Sequence, residues 1–194
     1  MKGYTNKTNI ENYTLQTINT SFATQVNSWI EAMELFIDKI TGRNFIADAV
    51  DTERIYDGDG CTEMVIDDFM SITKLEIGED DDSTRTEIES DDYRVYPNNE
   101  YPKRKLQIKS GYFSTGHKNV IVTAKFGYST TCPADITLAA TVLTAGITNF
   151  SNKAKGKIRS ETIGRFTFTY KDEQGWNDFK NVKEILNSYK KFTF

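Results

Sequence analysis

Apolar residues recur with a helical period at both ends of the chain and alternate with polar ones in the middle. Phe22, Val26, Trp29, Met33, Phe36 and Ile40 follow one another at steps of four and three, with Ile30 and Ile37 widening the stripe. This spacing predicts one face of a long amphipathic helix. Thr20 or Ser21 can cap its start, and Gly42 can take the left-handed conformation that ends it. Ahead of it, Thr8-Asn9-Ile10-Glu11 fits a capping box, which predicts a short helix carrying Ile10, Tyr13 and Ile18 on one side.

Strand chemistry dominates from about Asp51 to Tyr128. Glu53 to Tyr56 runs into the turn cluster Asp57-Gly58-Asp59-Gly60 and then Met64-Val65-Ile66, a pattern that predicts a β-hairpin. Further strands are expected at Ile72–Ile77, Tyr93–Tyr96 and Leu106–Ile108, and a strong one with Val120, Val122, Ala124 and Phe126 on one face. Gly78 to Asp92 is rich in Asp, Glu, Ser and Thr and reads as a solvated loop.

Pro133 opens a second helical pattern, where its missing N–H costs nothing, with Ile136, Ala140, Leu143, Ile147 and Phe150 in the stripe. Asn152 to Arg159 is polar and basic without periodicity. Phe166, Phe168 and Tyr170 then alternate with polar residues as an amphipathic strand. A Gly175-Trp176 link leads to a closing helix capped by Asn177 or Asp178, with Phe179, Val182, Leu186 and Tyr189 on its apolar face and Lys190 and Lys191 in its last turn. Helices, then strands, then helices make the fold class α+β.

Composition changes this picture little. The 194 residues are 38% hydrophobic and 12% aromatic, enough for a real core. A formal charge of -4 argues against a protein that grips nucleic acid through its phosphates. Cys61 and Cys132 are too few for a disulfide scaffold and read as idle thiols. The polar Met1–Asn6 leads into no apolar stretch, so no secretory leader is expected, and nothing approaches the ~20 apolar residues of a membrane span.

The catalytic inventory is thin. His117 is the single histidine and lies in a turn-like Ser114-Thr115-Gly116-His117-Lys118, so a His-rich metal site is excluded and a catalytic triad would rest on this residue alone. Gly156-Lys157 lacks the flanking residues of a phosphate loop. Asp57-Gly58-Asp59-Gly60 resembles the start of a calcium loop, but Cys61 and Thr62 stand where a ligand and the turn glycine belong, and a hairpin turn is preferred. Glu79-Asp80-Asp81-Asp82 reads as solvated surface. No catalytic residue, metal or cofactor is expected. Lys153, Lys155, Lys157 and Arg159 form the one basic concentration; they could touch DNA phosphates or an acidic partner, with a solvated loop the preferred alternative.

The C-terminal third can fold back on its own core. It can equally dock on a neighbour by strand addition or by laying a helix in a groove, and the aromatic ending Phe192-Thr193-Phe194 favours the partner-bound tail. On that reading the interface residues are Phe166, Phe168, Tyr170, Trp176, Phe179, Val182, Leu186, Tyr189 and Phe192.

The order of phrases resembles the head–tail connector (adaptor, or head-completion) family of long-tailed bacteriophages. A capped helix comes first, here Thr8 to Leu15. A long helix ends in Ile40-Thr41-Gly42-Arg43-Asn44-Phe45, and a Tyr56-Asp57-Gly58-Asp59-Gly60 turn follows. Phe126-Gly127-Tyr128 precedes the Pro133-led helix, and Ser160-Glu161-Thr162-Ile163-Gly164 leads into the last strand. These phrases span nearly the whole chain.

The resemblance implies a helical bundle with an inserted β-rich domain and a C-terminal strand plus helix arm. The corresponding segments are 1–50, 51–128, 129–159 and 160–194. It implies a virion structural protein forming a homo-oligomeric ring, typically twelve-fold, under the portal protein. That ring would extend the channel for genomic DNA without sequence-specific binding and offer a surface to the next neck, stopper or tail protein. It implies a location in the virion, away from any membrane, and portal binding through Phe166–Tyr170 and the helix from Asp178 to Lys191. Two expectations follow: removing Trp176–Phe194 leaves a folded core that no longer binds portal, and the free protein is a monomer whose arm orders on the portal. Another neck or tail-completion ring protein and a β-domain that binds a carbohydrate are the competing readings.

Overall fold

The computed structural model describes residues 1–79, 84–148, 159–163, 166–170 and 173–191. The chain is mixed α+β and divides into two compact units, one formed by Met1–Arg43 with Cys132–Phe194 and the other by Asn44–Thr131.

In the first unit, α1 (Lys7–Thr14) and α2 (Ala23–Thr41) precede α3 (Ala134–Thr148), the strands β7 (Arg159–Ile163) and β8 (Phe166–Tyr170), and α4 (Glu173–Ser188). α3 is the core of this unit: Ile136, Ala139, Ala140, Val142, Leu143, Thr144 and Ala145 are all buried. A helix this apolar needs cover on most of its surface, and α1, α2 and α4 all pack against it, leaving Leu138 exposed. Its buried threonines return their hydroxyls to carbonyls one turn back, Thr144 to Ala140 and Thr141 to Thr137. The buried face of α2 is Val26, Ile30, Met33, Glu34, Ile37 and Thr41, a stripe rotated from the expected one; Trp29, Phe36 and Ile40 are half-buried and Phe22 is exposed. Gly42 ends the helix at φ 68°.

The caps differ from expectation. Asn6, not Thr8, caps α1, its side chain accepting from the Asn9 N–H, while Glu11 reaches forward to the Ile18 N–H. Asn19 caps the short turn Thr20–Phe22 that leads into α2. α4 begins at Glu173, so Gly175 and Trp176 lie inside the helix, and Asp178 hydrogen-bonds the Tyr13 hydroxyl at 3.0 Å instead of capping. Lys190 and Lys191 lie beyond the helix end, where the Lys191 N–H donates to the Thr41 carbonyl.

The second unit is a six-stranded antiparallel sheet: β1 (Thr52–Gly58), β2 (Glu63–Gly78), β3 (Arg85–Glu87), β4 (Tyr93–Tyr96), β5 (Lys103–Ile108) and β6 (Gly116–Phe126). Its order is β1-β6-β2-β5-β4, with β3 added to β2. The expected β1–β2 hairpin does not form; β6 lies between the two strands and pairs with both. β2 serves two ladders, its first half pairing with β5 and its second with β6, and register shifts bend it between them. β3 lies within the stretch expected to be all loop. The core gathers Phe69, Leu75, Leu106, Phe113, Val120, Val122, Ala124 and Phe126, each inaccessible to solvent. Burying one such large side chain contributes about 1.5–3 kcal/mol. Ile121 is buried on the opposite face, so the centre of β6 is covered on both sides.

Phe179, Val182 and Leu186 of α4 are 0%, 1% and 4% exposed within the first unit. Leu or Phe truncation at such sites costs about 2–5 kcal/mol each. A chain lacking Trp176–Phe194 is therefore expected to lose cooperative unfolding of its helical unit, measured by near-ultraviolet circular dichroism, and not to leave an intact core.

Candidate assembly interface

Two structural regions carry the residues singled out in the sequence. The first is the hairpin of β7 and β8 with the helix that follows it. β7 and β8 pair antiparallel from Arg159↔Tyr170 to Ile163↔Phe166, and the Thr162 and Thr167 hydroxyls meet across the ladder at 3.0 Å. Among the described residues no further strand joins this two-stranded sheet, and β8 runs beside α3 and α4. The backbones of Phe166, Phe168 and Tyr170 lie in β8 and that of Trp176 in α4, while their side chains fall outside the described residues, as do Phe192, Lys153, Lys155 and Lys157. Arg159 opens β7.

Of the other expected interface residues, Phe179, Val182 and Leu186 face their own unit. Tyr189 is half-buried, its hydroxyl donating to Asp135 Oδ2 at 2.9 Å and its carbonyl accepting from Arg43 Nε at 2.6 Å. An apolar groove of about 250 Å³ runs between α2 and α4, with Phe36, Ile40, Leu143, Val182 and Leu186 in its walls.

The second region is the turn after β1. Asn119, fully buried, accepts the Gly58 N–H at 2.8 Å and donates to the Ser114 carbonyl at 2.7 Å. Gly60 N–H donates to the Phe113 carbonyl and Phe113 N–H to the Cys61 carbonyl, zipping the two loops together. Asp57 Oδ1 accepts the Lys118 N–H at 2.7 Å, and this bond holds its carboxyl below the usual range; Asp59 Oδ1 accepts the Cys61 N–H. These carboxylates close turns, and no metal-grade cluster exists among the described residues. His117 stands 3.6 Å from Asp57 with its side chain 80% exposed, a solvated pair at the rim. The Tyr-Asp-Gly phrase is thus architectural.

Beside it, Arg54 donates to Asp67 at 2.8 Å and stacks 4.1 Å over the Phe126 ring, while the Tyr56 hydroxyl donates to the same carboxylate. Burial first, then the Asp67 charge, pushes the Tyr56 phenol well above its ordinary value. A folded-state pKa raised above the unfolded one contributes stability that is complete below about pH 10 and lost as pH rises toward the folded value. The denaturation midpoint is expected to fall from about pH 10 upward, and Tyr56→Phe is expected to flatten that fall.

Three polar pins carried no clear signal in the sequence. Asn119 sits in an otherwise apolar strand. Lys103, 6% exposed, donates to the carbonyls of Pro97 and Asn98 and lies 4.7 Å from the Tyr101 ring. Glu34, 1% exposed, accepts the backbone N–H groups of Lys2, Gly3 and Tyr4 at 2.5, 2.8 and 2.8 Å. Its place between Ile30 and Ile37 within an apolar stripe was the available clue.

A family model described as head completion protein matches residues 8–192. The chain belongs to the head completion protein family. The family is one of virion structural proteins, and the match takes in both units and the C-terminal helix. Known structures with the same fold include the neck of an empty gene transfer agent particle computed with C6 symmetry, with a TM-score of 0.60 at 11% identity over 96% of this chain and 89% of that one. The neck of a native particle computed with C12 symmetry gives a TM-score of 0.55 at 12% identity, covering 90% and 86%. A chain from the virion of a native gene transfer agent particle gives 0.52 at 13%, covering 89% and 79%. No curated protein matches the sequence.

Proposed function

We propose that this member of the head completion family is a head–tail connector subunit, which forms a ring under the portal, extends the DNA channel and offers the attachment surface for the next neck or tail protein. The family match along nearly the whole chain carries the reading. It is supported by the shared fold with necks solved under C6 and C12 symmetry, where rotationally repeated chains surround an axis. A ring of this kind works by shape and contact, and needs no reacting group.

Within this reading the portal contact falls to the β7–β8 hairpin, because α4 spends its apolar face on its own unit. An unjoined strand edge can add a partner's strand through main-chain hydrogen bonds, with alternate side chains giving specificity. Genomic DNA would pass along the ring without sequence-specific contacts, in keeping with the net charge of -4. No described helix is long and apolar enough to cross a membrane.

Cryo-electron microscopy of the neck of the parent particle tests the proposal. A ring of this chain directly beneath the portal, with β7–β8 against it, is the expected result. A neck complete without this chain would overturn the connector reading; a ring touching portal only through the β-sheet unit would overturn the docking assignment.

A further inference from the structure

We infer that neighbouring copies in the ring join edge to edge through their sheets, β1 of one copy lying antiparallel beside β4 of the next. The inference rests on the ring reading above. Every subunit of a rotational ring must carry two different surfaces that fit each other. The path of the six-stranded sheet ends in two unlike strands, β1 on one side and β4 on the other, with the three-residue β3 beside β2 off that path.

Edge strands of lone proteins are commonly blunted by lysine or proline. β1 carries neither. Its outward row is Glu53, Ile55 and Asp57, all exposed, with Ile55 at 50% in the centre. On β4 the corresponding row is Arg94, exposed and paired across the sheet with Gln107, and Tyr96, half-buried and paired with Lys105. One edge reads acid, apolar, acid and the other reads cation, aromatic.

An antiparallel register that sets Ile55 opposite Tyr96 also sets Asp57 opposite Arg94. The first is an aromatic–β-branched pair and the second an opposite-charge pair, both of the favourable cross-strand kinds. The Lys118 N–H occupies Asp57 Oδ1 and the exposed His117 stands 3.6 Å from Oδ2, so Arg94 would meet this carboxylate at Oδ2 beside the imidazole. On the other face the same register sets Tyr56 opposite Val95, both packed against the apolar core, so that side of the sheet continues across the joint. Pro97, with no N–H to donate, ends the ladder after Tyr96. The alternative of like meeting like is disfavoured: two β1 strands centred on Ile55 would set Glu53 against Asp57 twice, acid on acid. The acidic β1 edge is therefore better matched to the Arg94 and Tyr96 edge than to a second copy of itself.

The test uses particles assembled with a Cys61→Ser, Cys132→Ser chain carrying Ile55→Cys and Tyr96→Cys together or singly. Purified particles are treated with mild oxidant or a short bis-maleimide and run on a denaturing gel. A ladder of covalent multimers from the double variant, and monomer from either single one, is expected. Particles that contain the chain but yield only monomer from the double variant overturn the edge contact while leaving the ring reading intact. Dimers from Ile55→Cys alone overturn it too, since they show like edges meeting. Wild-type particles without the chain refute the ring reading, and the contact falls with it. If the double variant fails to enter particles, Arg94→Glu decides: a folded chain with reduced incorporation supports the contact, and wild-type incorporation overturns it.

Discussion

Gly58→Ala is expected to destabilise the β-sheet unit by roughly 3–5 kcal/mol, near the top of what single substitutions do. A Cβ at this position would stand 1.9 Å from the Ser114 carbonyl oxygen and 3.1 Å from both terminal atoms of Asn119. The oxygen belongs to backbone, so relief requires moving the loop that Asn119 holds, and the same movement breaks the Gly58 N–H and Ser114 carbonyl bonds of that buried amide. Gly111→Ala is the control. There the added carbon meets nothing nearer than Ile108 Cγ2 at 3.9 Å, and only the left-handed φ of 116° is strained, at a cost of about 1–2 kcal/mol. Denaturant unfolding of both variants checks the ranking; equal losses would show that the close approach at Gly58 is not the cause.

The second large effect belongs to Glu34. Its carboxylate gathers three N–H groups of the N-terminal segment, and Tyr4, 1% exposed, follows them into the unit with its hydroxyl donating to Asp38 at 2.6 Å. Glu34→Ala leaves those donors without their acceptor, at about 1–3 kcal/mol for each that water cannot reach. A loss of about 3 kcal/mol or more is expected, with hydrogen exchange at Gly3 and Tyr4 accelerated before global unfolding. Glu34→Gln keeps one acceptor oxygen and is expected to fall between. Unchanged exchange at those two amides in Glu34→Ala would show that the segment is held by Tyr4 packing instead.

The fold class was legible because periodicity is a local signal. Alternation at Val120, Val122, Ala124 and Phe126 reports the face that β6 buries, and helical spacing reports α2 as a helix although its buried stripe is rotated toward Ile30, Glu34 and Ile37. The pairing of β1 was not legible. Glu53–Tyr56 and Met64–Ile66 flank a turn that looks like a hairpin, yet β6, more than fifty residues later, inserts between them, and no local pattern encodes a partner so distant. The start of α4 was missed because glycine lowers helix propensity, and Gly175 is carried inside the helix by tertiary packing. At the candidate interface, alternation revealed β8. It could not reveal that the apolar stripe of α4 is spent at home, since a stripe shows that a face is covered and not by whom.

The chain also has an order of completion. Every ladder of the sheet unit closes within Asn44–Thr131. The helical unit joins residues from opposite ends of the chain: Tyr13 to Asp178, Arg43 to Tyr189, Thr41 to Lys191. During synthesis the sheet unit has all its partners long before the ribosome reaches α4, whereas α2 waits for the last segment to cover it. A truncated or stalled product would therefore present a folded sheet on an unfinished bundle, and only a chain made to its end can offer a neighbour a complete subunit.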